Sequence, residues 1–428
     1  MINSHNKEGF LFNPIFLYLF LAAIFLLRLP SFYFLPVHNT LFTTQVLARI
    51  LIALVFFAKI LESFLKGKEI FSDQRAKIVI TLIIILFFIQ SLSIFSAMNY
   101  QSFLFRYFKD VVPGVFTFLT FYLFRGQYKK IILALLLPTF FNIFYQAFMI
   151  VDRDLFVKFA GSLIYDRHLS FVLYNLDKGR TLVDTYDEAS LPLLLLINIT
   201  KIPFSSYLLF ILVAFFAFIS NWRIRILMLF FGLISSFLVM KKLSSRGFIT
   251  LVFLILFTSY SVNLISVNTV GFSFLDRLTF QSKLEDVAPI SSRIEQIRLA
   301  FEMGLASPFG VGLGNYFDNL PDKSTVISSS YSNELYNKDV QEGTEGWVHN
   351  IFGSFIAESG YLSLIVFLTI LTMFVKSDLN ILKNGDNYKK ALVLSFWTIF
   401  IHSLLNPNVG GAYLVFFWGT RGLLLDKT

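Results

Sequence analysis

KIVITLIIILFFIQSLSIFSA, residues 77–97, carries one basic residue at its start and no other charge. It matches the ~20 apolar residues that an α-helix needs to cross the hydrocarbon core of a bilayer. Similar runs recur from end to end, near residues 12–34, 41–65, 101–124, 130–151, 189–201, 204–219, 224–240, 247–265, 350–376, 389–404 and 409–424. Of 428 residues, 56% are apolar, 18% aromatic and 15% charged, with a mean hydropathy of +0.69. Soluble domains carry about 25% charged residues. The chain is expected to be an all-α polytopic membrane protein with about twelve transmembrane helices, because only helices and closed barrels satisfy every backbone polar group in lipid. No cysteine is present, which excludes disulfide and thiolate chemistry.

The net charge of +9 reads as topology and not as nucleic-acid binding. Lys59, Lys66, Lys68, Arg75 and Lys77 share one short connection, Arg125, Lys129 and Lys130 a second, and Lys376, Lys383, Lys389 and Lys390 a third. All three fall on one side if the N-terminus is cytoplasmic. The first apolar run follows without a small-residue cleavage site, so it reads as a first helix and not a removable signal. The count puts residues 1–265 in nine helices, 266–348 in a long outer loop and 349–428 in three further helices. That loop holds eleven acids against six bases. Of the other outer segment, 152–188, Arg180, Asp184, Asp187 and Glu188 read as a solvated loop, with lining of a sugar path as the sharper alternative. Arg223 and Arg225 fall outside in the twelve-helix count and Arg246 inside; a broken crossing at 189–219 would exchange them.

In the long loop, SSRIEQIRLAFEMGLASPFGVGLGNYF opens with Ser292 and, three residues on, Glu295, a capping-box pattern. Ile294, Ile297, Phe301 and Leu305 follow at helical spacing, and Pro308, Gly310, Gly312 and Gly314 make a small-residue turn. Arg293 then falls in the first turn, where a cation opposes the macrodipole unless an anion is bound there. Arg298 stands between Glu295 and Glu302 at salt-bridge spacing. His349 and Asn350 open the next apolar run at head-group depth, where His can accept a proton or serve as an interfacial residue beside Trp347. Arg106, Lys109 and Asp110 lie in or at the edge of a membrane run, which is costly in lipid and marks either a functional cavity or a local ion pair.

Arg293, Pro308, Gly310, Gly312, His349, Asn350, Glu358 and Gly360, in this order and spacing over about seventy residues, resemble the O-antigen ligase/polymerase superfamily (Wzy-C, WaaL-like). Ser245-Arg246-Gly247 matches a further pattern of that family. The resemblance implies a metal-independent, cofactor-free membrane glycosyltransferase of GT-C-like type, acting on undecaprenyl-diphosphate-linked glycan donor and acceptor at the periplasmic face of a bacterial inner membrane. Arg293 would stabilise the departing diphosphate and His349 would take the acceptor proton. Arg246, Arg106, Lys109, Arg298, Asn350 and Glu358 would hold diphosphate or glycan. A Wzy-type polymerase is the leading expectation, on the AT-rich flavour of the composition; an O-antigen ligase acting on lipid A core and a flippase or transporter are the alternatives. Membrane lipid is an expected partner, a chain-length regulator could be another, and nucleic acid is not one.

Reporter fusions check the topology. Alkaline phosphatase fused after Ser328 is expected to be active and after Lys383 inactive; two fusions reporting the same side would overturn the arrangement.

Overall fold

The computed structural model describes residues 14–33, 43–67, 70, 73–164, 169–170, 172–173, 187–198, 211–217, 223–240, 288–320, 348, 350–405 and 411–425. Within them the chain is helical, with two isolated antiparallel bridges, Phe32 with Ile164 and Tyr33 with Thr43. Four described helices are long and apolar enough to span a membrane: Thr44–Leu65, Gln74–Ser96, Arg125–Met149 and Ile351–Asn384. Pro14–Arg28 and Ile224–Val239 are shorter apolar helices. The expected count of twelve extends beyond the described residues.

Side-chain exposure shows what surrounds these helices. Along Thr44–Leu65, Ala48, Ile52, Val55 and Lys59 are buried, while Ile50, Leu54, Phe57, Leu61 and Phe64 are each more than half exposed. The exposed stripe recurs every three to four residues along the whole helix, so one face meets the protein and the other meets an apolar medium. In water such a stripe would be an aggregation surface. It is the ordinary surface of an integral membrane protein.

Two expected crossings are broken. Residues 100–123 form Tyr100–Arg106, a wide π-helical turn Tyr107–Val111, and Val112–Leu123. Pro113 accounts for the break, since it has no N–H to return to the preceding turn and its ring crowds the carbonyl four residues back. The C-terminal helix is likewise divided into Gly411–Tyr413, a π-helical turn Leu414–Gly419, and Thr420–Leu424. The two breaks pack together: a Cβ on Gly114 would lie 2.9 Å from Trp418 Nε1.

The third irregularity is the kink in Ile351–Asn384. Gly360 has φ 78° and ψ 175°, outside the helical region. A residue in that conformation cannot continue the ladder, so carbonyls in the preceding turn lose their helical partners. The turn after the helix Ala288–Leu305 takes them up: Val311 N–H donates to Ala357 O (2.8 Å) and Gly312 N–H to Glu358 O (3.1 Å). The Ser363 hydroxyl donates to Phe355 O (3.1 Å). Backbones approach so closely that a Cβ on Gly360 would lie 2.1 Å from Pro308 O, and one on Gly310 would lie 2.4 Å from Ala357 O. Asn315 secures the other side of the turn, accepting from Asn99 N–H (2.6 Å) and donating to Asn99 O (3.2 Å).

The helix before the turn begins at Ala288, one turn earlier than the capping-box pattern indicates. Ser292 is therefore inside the helix and Arg293 lies in its second turn. The solvated reading of Asp187 and Glu188 is also corrected. Both are fully buried, Asp187 paired with Arg28 (2.5 Å) and Glu188 with Arg225 (2.6 Å). Thr139, Ser190 and Asn142 complete the Arg28–Asp187 cluster. Glu188 and Arg225 therefore share one level. A separate bidentate pair, Arg421 with Asp378 (2.6 and 2.7 Å), joins the C-terminal helix to the lower part of Ile351–Asn384.

Gly360→Ala is expected to lower stability by roughly 2 kcal/mol or more, combining strain at positive φ with a backbone clash. Thermal unfolding of purified protein would show this against Gly126→Ala, where an added Cβ meets nothing within 4 Å.

Candidate functional site

The three irregular helices, together with the regular helix Gln74–Leu92, surround one cavity of about 80 Å³. Ser354, Glu358 and Ser359 reach it from the turns above the Gly360 kink, Arg106 and Asp110 from the broken helix at 100–123, and Tyr413, Phe417 and Trp418 from the C-terminal helix. Leu313, between the glycines of the docked turn, lines it as well and packs with Ala97 and Phe103. The turn therefore contributes to the wall of the cavity. Non-helical backbone at membrane depth is tolerated only where protein or a cavity can satisfy it, and π-turns recur at functional sites.

Its charged side chains are one cation and two anions. Arg106 Nε lies 3.1 Å from Asp110 Oδ2 and 3.9 Å from Glu358 Oε2. Ser354 Oγ donates to Glu358 Oε2 (3.4 Å), and the Gly314 backbone N–H also reaches this carboxylate. All three charged residues are at least nine-tenths buried. Asp110 Oδ1, Glu358 Oε1 and the Ser359 hydroxyl have no hydrogen-bond partner. Such orphaned atoms are costly inside a protein unless a ligand or water meets them.

The other candidates stand apart from this cluster. Lys109 is half-buried with its ammonium over the Phe105 ring, 5.2 Å from the centroid, and does not line the cavity. Arg298 pairs with Glu302 on an exposed helix face, the salt-bridge arrangement its spacing indicates. Asn350 caps Ile351–Asn384, accepting from Gly353 N–H (3.0 Å), while its amide donates to Leu404 O (2.8 Å). It thereby ties the start of the kinked helix to the end of Asn387–Leu405. Arg246, His349 and the side chain of Arg293 lie outside the described residues. The helix that carries Arg293 packs against the start of the kinked helix, where Gly353 leaves room for Val348 and Ala300.

Ser354, Ser359 and Tyr413 were not singled out by sequence. Ser354 and Glu358 are four apart and so share a helix face, a pattern too common to stand out. Ser359 faces the cavity because the kink rotates this turn, and spacing alone does not reveal that.

With this geometry in view, comparison with known proteins is informative. The family model Wzy_C, described as O-antigen ligase, matches residues 208–368. This portion of the chain is similar to that family, in line with the resemblance carried by Arg293, Pro308, Gly310, Gly312, Glu358 and Gly360. The matched span includes both the docked turn and the kink that receives it, with Arg246, Arg293, Arg298, His349, Asn350 and Glu358, and leaves out Arg106, Lys109 and Asp110. No curated protein matches the chain.

Removing the cation from the buried cluster leaves two carboxylates facing each other. Arg106→Ala is expected to destabilise the protein by about 3–5 kcal/mol, partly restored by Glu358→Gln in the double variant, whereas Arg298→Ala should cost under ~1 kcal/mol. Unfolding midpoints measured in one detergent check all three.

Proposed function

We propose that the protein is a Wzy-type polymerase, which transfers a growing glycan from undecaprenyl diphosphate to a lipid-linked repeat unit at the periplasmic face of a bacterial inner membrane. The observation that carries transfer of a lipid-linked glycan is the match to the O-antigen ligase family over the segment in which turn and kinked helix interlock; the AT-rich flavour of the composition favours the polymerase within that class. In the reaction an acceptor sugar hydroxyl attacks the anomeric carbon of the donor. The bond from that carbon to the diphosphate oxygen breaks, and the electron pair leaves with the diphosphate. Arg293 meets the developing negative charge with a planar, permanently charged fork. His349 takes the hydroxyl proton as general base.

Asn350 supports this assignment indirectly, since its two hydrogen bonds hold the backbone next to His349 at the start of the kinked helix. Arg246 is an additional diphosphate contact in the same reading. Residues 266–348 form the periplasmic segment, and a chain-length regulator is a natural partner. Arg106 has a different part: its guanidinium already faces two carboxylates, so it is poorly placed to be a main anion contact. The family description favours a second reading, an O-antigen ligase that uses the same donor with a lipid A core acceptor.

Purified protein incubated with lipid-linked repeat units alone distinguishes these. A polymerase yields a ladder of lengthened glycans, while a ligase yields product only when lipid A core is added. Arg293→Lys and His349→Gln, matched for folding, are each expected to lower turnover about 10²-fold or more. Near wild-type turnover for His349→Gln would remove the base from the mechanism.

A further inference from the structure

We propose that Asp110, Glu358 and Ser359 form a hydroxyl-binding subsite that takes one sugar ring and is unsuited to phosphate; this rests on the reading of the substrate as a lipid-linked glycan. Polar atoms in the cavity wall are left without hydrogen-bond partners. Asp110 Oδ1 and Glu358 Oε1 are orphaned acceptors, and the Ser359 hydroxyl can donate or accept. All three residues are at least 95% buried and line the same cavity. A phosphate brings acceptors and negative charge, neither of which the two carboxylate oxygens can use. A ring bearing several hydroxyl donors satisfies them.

The charged side chains lining the cavity are Arg106, Asp110 and Glu358, and Arg49, outside the lining, also acts on Asp110. The remaining wall is mostly apolar, part aliphatic and part aromatic, with Phe355, Phe417 and Trp418 able to cover the apolar C–H face of a pyranose. Carboxylates beside aromatic rings suit a polyol with one hydrophobic face. The volume, about 80 Å³, has room for about half a dozen waters, which hydroxyl groups entering the cavity would displace. Leu313 connects the subsite to the turn that follows the Arg293 helix, so diphosphate and sugar recognition would meet at the docked turn. Asp110 and Glu358 are thus specificity determinants for the sugar, and Arg106 is a positioning residue that holds their carboxylates apart.

The test uses full-length protein in lipid nanodiscs and two kinds of probe, a panel of methyl glycosides of common bacterial sugars and inorganic pyrophosphate, each titrated by thermal shift. At least one glycoside is expected to stabilise the wild type. Asp110→Asn and Glu358→Gln should each weaken its apparent affinity about tenfold or more while leaving the response to pyrophosphate in place. Ser359→Ala removes a hydroxyl without an internal partner, so it should keep the unfolding temperature and still weaken the glycoside several-fold; it covers the case in which the carboxylate variants do not fold. No glycoside response in the wild type, a glycoside response unchanged in all three variants, or pyrophosphate binding lost with Glu358→Gln would each overturn the subsite. Loss of the pyrophosphate response in Arg293→Ala, with ladder formation from repeat units, tests the polymerase reading separately.

Discussion

The architecture around the cavity depends on two backbone hydrogen bonds, from Val311 and Gly312 to the carbonyls of Ala357 and Glu358. In lipid a helix cannot break without partners for the groups it frees, because no water is present to take them. Gly360 makes the break and the glycine-containing turn satisfies it. Neither feature is stable alone: the kink would leave unsatisfied carbonyls, and the turn would have no surface to dock on. Their mutual fit explains why Pro308, Gly310, Gly312 and Gly360 belong to one motif although some fifty residues separate its halves.

This interlock also sets where charge can be held. Glu358 sits two residues before the kink, and its carboxylate is reached by the Gly314 N–H, Ser354 and Arg106. Asp110 lies in the π-turn that Pro113 induces. Regular helices at these positions would carry the side chains at other angles, and two carboxylates near one guanidinium would not converge. The cost of burying them is considerable, and such a cluster is a weak device for stability. It is more readily understood as part of a site, where a ligand meets the atoms the protein leaves unsatisfied.

The buried pairs elsewhere differ in kind. Arg421 with Asp378 is bidentate and has the Phe396 ring 3.5 Å from the guanidinium carbon, and Trp397 donates to the same carboxylate. Arg28 is surrounded by Asp187, Ser190, Thr139 and the Leu135 carbonyl. These clusters join helices far apart in sequence, which suits fold specification, and each carboxylate in them is engaged by a guanidinium. Orphaned atoms occur among them too, at Arg28 Nε, Arg421 Nε and Glu188 Oε2, so what sets Asp110 and Glu358 apart is that their orphaned oxygens belong to residues lining a cavity.

Hydropathy by itself determined that the chain is a helical membrane protein, because the requirement to cover polar backbone in lipid acts on every residue of a long apolar run. Turn chemistry was equally local: Pro308 and the glycines after it dictate a sharp turn whatever packs around them, since proline fixes φ and glycine tolerates positive φ. The start of the arginine helix was missed by a turn, since Ala288 to Ile290 carry no capping signal. The surroundings of Asp187, Glu188 and Arg225 were decided only in three dimensions: each looks like an ordinary loop or flank charge until a partner 37 residues away, for Glu188 and Arg225, is brought against it. The same holds for Arg106 and Glu358, separated by some 250 residues. Local spacing encodes which face of a helix a residue occupies; which other helix meets that face, and whether a charge there is spent or free, depends on packing between distant segments.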